Sequence, residues 1–247
     1  VRAFASIQDY TGNLPLKKFH YSAVELLVAL LLLFITAPFV EILPYGGLIE
    51  SILVTLVMVS AVLATGGKRW TLAVAVVLVT PALAGKWLNY LAPGLVPVPV
   101  FLVATALFLA FIVGQLLRFI LRTPRVDTNV LCAGLAGYLM LGLLWIPAYV
   151  LITYLTPGAF VFTAVFQDGN AMEGFNAFYF SFITLCTVGY GDVIPASHVA
   201  RMLVVMETIS GLFYMAVLVS RLVAVYSTQN SPDRIETAAA STDSQSP

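Results

Sequence analysis

Of the 247 residues, 60% are hydrophobic and only 10% are charged, and mean hydropathy is +0.97. That balance excludes a water-soluble domain of this size. Twelve basic and twelve acidic residues cancel to a formal charge of zero, so net charge points to no partner and nucleic acid is not expected.

Apolar runs of about 20 residues cross a hydrocarbon layer of roughly 30 Å as helices, the form that satisfies its own backbone. Six are expected, at residues 21–43, 48–65, 70–91, 99–120, 129–154 and 198–227. The first follows Lys17-Lys18 but is long enough to span and lacks a small-residue cleavage site, so it reads as a span and not as a leader. Position 1 is Val, which suggests a trimmed start. Gly46-Gly47, Gly66-Gly67-Lys68-Arg69, Pro93-Gly94 with Pro97, and Pro124 mark the breaks. Lys17, Lys18, Lys68, Arg69, Arg118, Arg122, Arg125, Arg221 and Arg234 fall on one side of the six spans, and Lys86 and Arg201 on the other. The positive-inside rule then places both termini in the cytoplasm. Glu25 and Glu50 sit near span ends, where a long side chain reaches water cheaply, and no function is assigned to them. Cys132 and Cys186 lie in apolar runs and are expected as buried thiols; two cysteines suggest no metal cluster.

A shorter apolar stretch, residues 173–186, lies between the last two spans. At 1.5 Å per residue it is about 20 Å long, too short to cross. It reads as a re-entrant helix, tolerated only inside protein or beside water. Asn170 with Glu173 forms the expected cap pair at its start, and Glu173 complements the positive helix end. Phe175, Phe178, Tyr179, Phe180 and Phe182 crowd it. Its far end, near Thr184 to Cys186, is expected to turn its carbonyls toward a central cavity.

Thr187-Val188-Gly189-Tyr190-Gly191-Asp192 follows directly. A dehydrated monovalent cation needs a cage of oxygens in place of its water. Backbone carbonyls supply one if the chain is extended and each C=O turns toward one axis. That geometry needs unusual dihedrals at alternate residues, and Gly189 and Gly191 reach positive φ without a Cβ penalty. Thr187 adds a hydroxyl at the inner mouth. A single strand cannot enclose an ion, so four copies are required.

These six residues resemble the selectivity filter of potassium channels. The resemblance covers about residues 129–226, in the order span, pore helix, filter, span, with Pro195 at the family's usual place after the filter. It implies an all-α membrane protein of six transmembrane helices plus a re-entrant pore helix and filter loop, assembled as a homotetramer in the cell membrane. K⁺ would bind at Thr187, Val188, Gly189 and Tyr190, with Gly191 completing the filter and no other cofactor. The division implied is a cytoplasmic segment at 1–20, a four-helix domain at 21–125, a pore domain at 126–227 and a disordered cytoplasmic tail at 228–247. No regulatory domain is expected beyond the pore. Tyr179 matches an aromatic donor to the Asp after the filter, here Asp192. Gly211 matches the inner-helix glycine where many potassium channels bend. Leu212, Met215, Val219 and Val223, at i, i+3 and i+4 spacing, match the face that lines the inner pore, where an apolar constriction can block ions by dewetting.

Two departures from the family pattern matter. Ile183 stands where some bacterial potassium channels carry a glutamate behind the filter. Glu207 instead lies about 9 Å into the sixth span, six residues past Arg201. An ionisable group there is costly unless paired, so function is the default expectation. It is expected to hydrogen-bond the pore helix, at Thr184, and to make gating respond to pH. The fourth span holds one basic residue, Arg118, with Arg122 and Arg125 beyond it. Steep voltage gating takes three or four charges per subunit, each worth about 2.3 kcal/mol per 100 mV, so strong voltage gating is not expected. The first four spans are left with packing, assembly, or binding a lipid or small molecule.

Two other readings fit parts of this pattern. A nonselective or weakly voltage- or pH-modulated cation channel shares the architecture. Gly189-Tyr190-Gly191-Asp192 also fits the Gly-x-Gly-Asp motif of intramembrane aspartyl proteases, but that chemistry needs two aspartates facing each other inside the membrane. The six spans contain no Asp; Asp127 and Asp168 lie in loops. The protein is therefore not expected to be an enzyme.

Overall fold

The computed structural model describes residues 23–40, 42–65, 69–92, 94–95, 97–123, 127–163 and 171–229, the last five of them as backbone only. Seven helices and one pair of short strands make up these residues: α1 (Ala23–Val40), α2 (Gly46–Ala64), α3 (Arg69–Leu91), α4 (Val98–Arg122), α5 (Thr128–Leu155), β1 (Phe160–Phe162), α6 (Gly174–Leu185), β2 (Val193–Pro195) and α7 (His198–Gln229). Six helices are long and apolar enough to cross a membrane, and α6 is too short. The chain is a multi-pass, nearly all-helical membrane protein. The expected spans each fall on one of these helices.

Local chemistry explains the helix ends. Asp127 accepts the Val130 amide at 2.9 Å and opens α5, the role of an N-cap carboxylate. Pro97 precedes α4, and Pro99 stands in its first turn, where a missing N–H costs nothing. Inside the spans, hydroxyls return to their own helix. Ser51, Thr55, Thr80 and Thr105 each donate to the carbonyl four residues back, which satisfies these hydroxyls without water.

The main core joins α1 to α5 and α7 around fully buried residues such as Leu30, Phe108, Ile112 and Met140. Glycines on α5 set how closely its neighbours approach. A Cβ at Gly137 would lie 2.2 Å from the Tyr214 hydroxyl, and one at Gly142 would lie 2.3 Å from Phe182. Tyr214 uses that room to donate to the Gly134 carbonyl at 2.9 Å. α1 reaches the re-entrant helix through Phe34, whose ring meets Phe178 and Phe182 edge-on at 4.8 and 4.6 Å. At the other end, Arg221 of α7 donates to the Thr123 carbonyl that closes α4, at 2.8 Å.

A second core surrounds the outer part of α6. Tyr149, Phe160 and Phe180 form an edge-to-face triangle with centroids 5.1 to 5.6 Å apart. Phe180 is therefore a core residue. β1 and β2 pair antiparallel, with Val161 opposite Ile194, an addition to the all-helical expectation. Four details differ from the sequence reading. Glu173 is itself the residue before α6 and makes no side-chain cap bond; Asn170, the other member of the expected pair, lies outside the described residues. Asn176, one turn into α6, bonds instead to the Ala171 carbonyl at 3.0 Å. α7 continues to Gln229, past the expected start of the tail. Cys186 is exposed, not buried, and Cys132 is half-buried. Residues 1–22 and 230–247 fall outside the described structure.

Candidate functional site

The segment after α6 has a backbone that alternates in handedness. Thr187 has φ +59°, Gly189 +52° and Gly191 +80°. Positive φ at every second residue turns successive peptide groups so that their carbonyls share one side. Glycine supplies this freely, whereas Thr187 is strained, since a β-branched residue rarely enters that region. Strain at a non-glycine persists only where the surroundings fix it. Here they do so through four hydrogen bonds from the start of the segment to the end of α6. The Cys186 amide donates to Phe182 O at 3.0 Å, Thr187 to Thr184 O at 2.9 Å, Val188 to Ile183 O at 2.8 Å and Gly189 to Ile183 O at 3.2 Å. Two carbonyls at the helix end also have partners. The Thr184 carbonyl is taken by Thr187 instead of standing free, and the Tyr138 hydroxyl donates to the Leu185 carbonyl at 3.4 Å.

The outer end is fastened separately. Tyr179 donates to Asp192 Oδ2 at 2.6 Å, and Asp192 Oδ1 accepts its neighbour's amide, Val193, at 3.0 Å. Burial pushes the Tyr179 phenol up to about 12, with the Asp192 carboxylate adding to the effect, so the phenol remains a donor at neutral pH. Thr163, after β1, donates its amide to the Asp192 carbonyl at 2.8 Å and its hydroxyl to the Gly191 carbonyl at 2.8 Å. The Gly191 carbonyl accepts from Thr163, and its positive φ gives Gly191 a conformational part. Val188 and Tyr190 are exposed in the single chain.

Behind α6 lies a buried polar cluster. Glu207 is 0% exposed. Ser181 donates to Glu207 Oε1 at 2.6 Å, and Tyr149 donates to Oε2. The expected partner, Thr184, is buried one turn further on and makes no such bond, because Ser181 is the hydroxyl level with residue 207. Ile183 is partly buried against the second core. Ser181, Tyr149 and Thr163 were not singled out from the sequence. Ser181 and Thr184 are both small hydroxyls among the aromatics of α6, and the sequence alone does not separate them.

Gly211 lies within an unbroken α7, and a Cβ there would stand 2.7 Å from Leu185 Cδ1 and 3.1 Å from Leu185 O. Its lack of a side chain lets the end of α6 rest on α7. Leu212, Met215, Val219 and Val223 are all exposed, 41 to 59%, and so form an uncovered apolar face of α7. In α4, Arg118 and Arg122 are exposed near the helix end, and Arg125 lies outside the described residues.

Comparisons with known proteins return channel proteins. Residues 149–228 match the family model described as "Ion channel". Two-pore potassium channel 4 of Arabidopsis thaliana is 35% identical over 78 residues, which is 30% of this chain and 27% of that protein. The voltage-gated potassium channel Kch of Escherichia coli is 46% identical over 52 residues, 18% of this chain and 12% of that one. Two pore potassium channel c of Oryza sativa is 31% identical over 79 residues, 30% and 17% of the two lengths. The chain thus spans about a quarter or less of the curated relatives it matches. No solved structure matches.

Proposed function

We propose, from a chain whose residues 149–228 match the family model described as "Ion channel", that four copies assemble around one axis and conduct K⁺ passively across a membrane. The observation that carries this reading is the alternation of positive φ at Thr187, Gly189 and Gly191 within a TVGYGD sequence fixed at both ends. Four such strands surround a bare ion with the carbonyls of residues 187–190, and the Thr187 hydroxyl adds the innermost oxygen. The protein supplies fixed dipoles in place of water, and the ion is cargo that enters and leaves.

In this reading residues 126–227 form the pore unit and residues 21–125 a four-helix unit beside it. Both termini face the cytoplasm and the filter's outer mouth faces outward, because the basic residues gather at the opposite ends of the spans. The exposed face of Leu212, Met215, Val219 and Val223 lines the inner pore. Asp192 serves the filter and not catalysis, since its carboxylate is engaged by Tyr179 and Val193. Arg118 and Arg122 act as interface anchors, so conduction is at most weakly voltage-dependent.

The test is reconstitution into planar bilayers with K⁺ on one side and Na⁺ on the other, across a range of voltage. A reversal potential displaced strongly toward the K⁺ equilibrium value supports the reading. A value near zero overturns selectivity in favour of the nonselective alternative, and steep activation by voltage overturns the account of α4. The stoichiometry of the purified particle checks the fourfold assembly.

A further inference from the structure

A cavity of about 220 Å³ lies between the four-helix unit and the pore unit, walled by α1 to α6. It sits at the end of the bundle where α2, α4 and α6 begin. Its walls are apolar, including Val54, Phe101, Leu143, Phe175 and Phe178. Two charged residues also border it, and they pair with each other: Lys86 Nζ stands 2.6 Å from Glu50 Oε1. Thr105, the remaining polar wall residue, spends its proton on the Phe101 carbonyl at 2.8 Å.

We propose that this cavity is a binding site for a compact amphiphile, with an apolar chain or ring inside and an uncharged polar head on the Lys86–Glu50 pair. The cavity is open on one side, and an apolar hollow left without an occupant forfeits contacts along its walls. Drug-sized ligands occupy roughly 300–1,000 Å³, so the occupant is smaller, a short chain or a single ring. Lys86 keeps ammonium protons and Glu50 keeps an oxygen beyond their mutual bond, which suits a head that both donates and accepts. The pair carries no net charge, so a charged head meets repulsion from one member. Membrane lipid and a free amphiphile both satisfy this chemistry.

The site has a direct path to the filter. Phe175 and Phe178 of α6 form part of its wall. The Phe175 ring lies 6.4 Å from that of Tyr179, and Tyr179 holds Asp192. An occupant that shifts α6 shifts the support of the filter's outer end. That consequence rests on the conduction reading; binding itself does not.

Trp87 adjoins Lys86 in the chain, and its indole donates to Thr55 at 3.1 Å, which makes it a reporter at the rim. The full chain carrying Trp70→Phe and Trp145→Phe is reconstituted in vesicles, and Trp87 fluorescence is titrated with bromohexanol, then with bromohexanoate. Saturable quenching is expected with the alcohol, and at least tenfold weaker with the acid. Ala37→Phe and, separately, Val54→Phe project a ring into the cavity from two different helices, and each should weaken alcohol binding at least tenfold. Vesicles of dibrominated phosphatidylcholine distinguish the sources: quenching relieved by either filling variant identifies a lipid chain as the resident, while equal quenching in all variants assigns the site to a free amphiphile if the alcohol still saturates. Quenching by the alcohol that rises linearly and equally in all variants is membrane partition alone and overturns the proposal. Bromohexanol should also change the rate of current decay in the parent channel and not in the filled variants. Saturable binding without currents would leave the site standing and remove the conduction reading.

Discussion

The Ser181 hydroxyl stands 2.6 Å from Glu207 Oε1, both side chains being fully buried. The same hydroxyl lies 2.8 Å from the Gly142 carbonyl, so one hydroxyl proton faces two acceptors. Through this oxygen the re-entrant helix touches α5 and α7 at once, and Tyr149 closes the cluster from the far side of the carboxyl.

Glu207→Gln should be mild and Glu207→Leu severe. The amide accepts from Tyr149 and supplies a second proton toward Ser181, whereas leucine leaves the buried Tyr149 hydroxyl without its acceptor, at about 1–3 kcal/mol, while Ser181 keeps only the Gly142 carbonyl. Thermal unfolding of the reconstituted protein is the check. Any pH response of gating that depends on this carboxyl should be absent in the Gln variant, and unchanged pH response there would assign the group a static role.

Tyr179→Phe removes the donor to Asp192 and should loosen the filter's outer end. A hydrogen bond to a charged group contributes roughly 1.5–3 kcal/mol, so current decay should accelerate about tenfold or more. The contact also has a defined pH window. The phenol is raised from 10.0 to about 12 in the folded protein. Its stabilisation is therefore complete below pH 10 and fades as pH rises through 12. Ultraviolet difference titration should show one fewer late-ionising tyrosine in the variant than in the parent.

Thr163→Val keeps the shape but removes the hydroxyl that holds the Gly191 carbonyl. The loss is expected to be about 0.5–1.5 kcal/mol, read as a several-fold faster current decay with K⁺ over Na⁺ preference retained. A Thr163→Ser variant, which restores the hydroxyl, should behave as the parent. Equal decay in all three proteins would show that this hydrogen bond does not support the filter.

Gly211→Ala drives a methyl against Leu185 and should destabilise by about 1–3 kcal/mol through overpacking. Leu185→Val in the same chain should recover most of that loss, since the pair is in contact and couples. If instead Gly211→Ala leaves unfolding unchanged and only slows opening, the glycine is kept for bending and not for packing.

Some of this protein was readable from the residues alone. Hydropathy and the Gly and Pro breaks gave six spans, because the cost of an unpaired peptide group in hydrocarbon makes each run helical whatever lies beside it. The stretch at residues 187–192 was readable because Gly189 and Gly191 state their backbone conformation locally, through a missing Cβ. Even there, the matching positive φ of Thr187 needed the hydrogen bonds from α6 to hold it.

Which faces meet was decided by the fold. Glu207 was marked by its charge, yet its partners are 26 and 58 residues away in the chain. In spans that are apolar on every side, periodicity does not say which face turns inward, so Ser181 prevailed over Thr184 only when α6 was set against α7. Thr163 reaches Gly191 across 28 residues because β1 pairs with β2. Glu50 and Lys86 looked like separate span-end charges until α2 and α3 were laid side by side. The residue types were written locally; their pairings came from packing, which brings distant positions to one place by shape and by the need to satisfy every buried polar group.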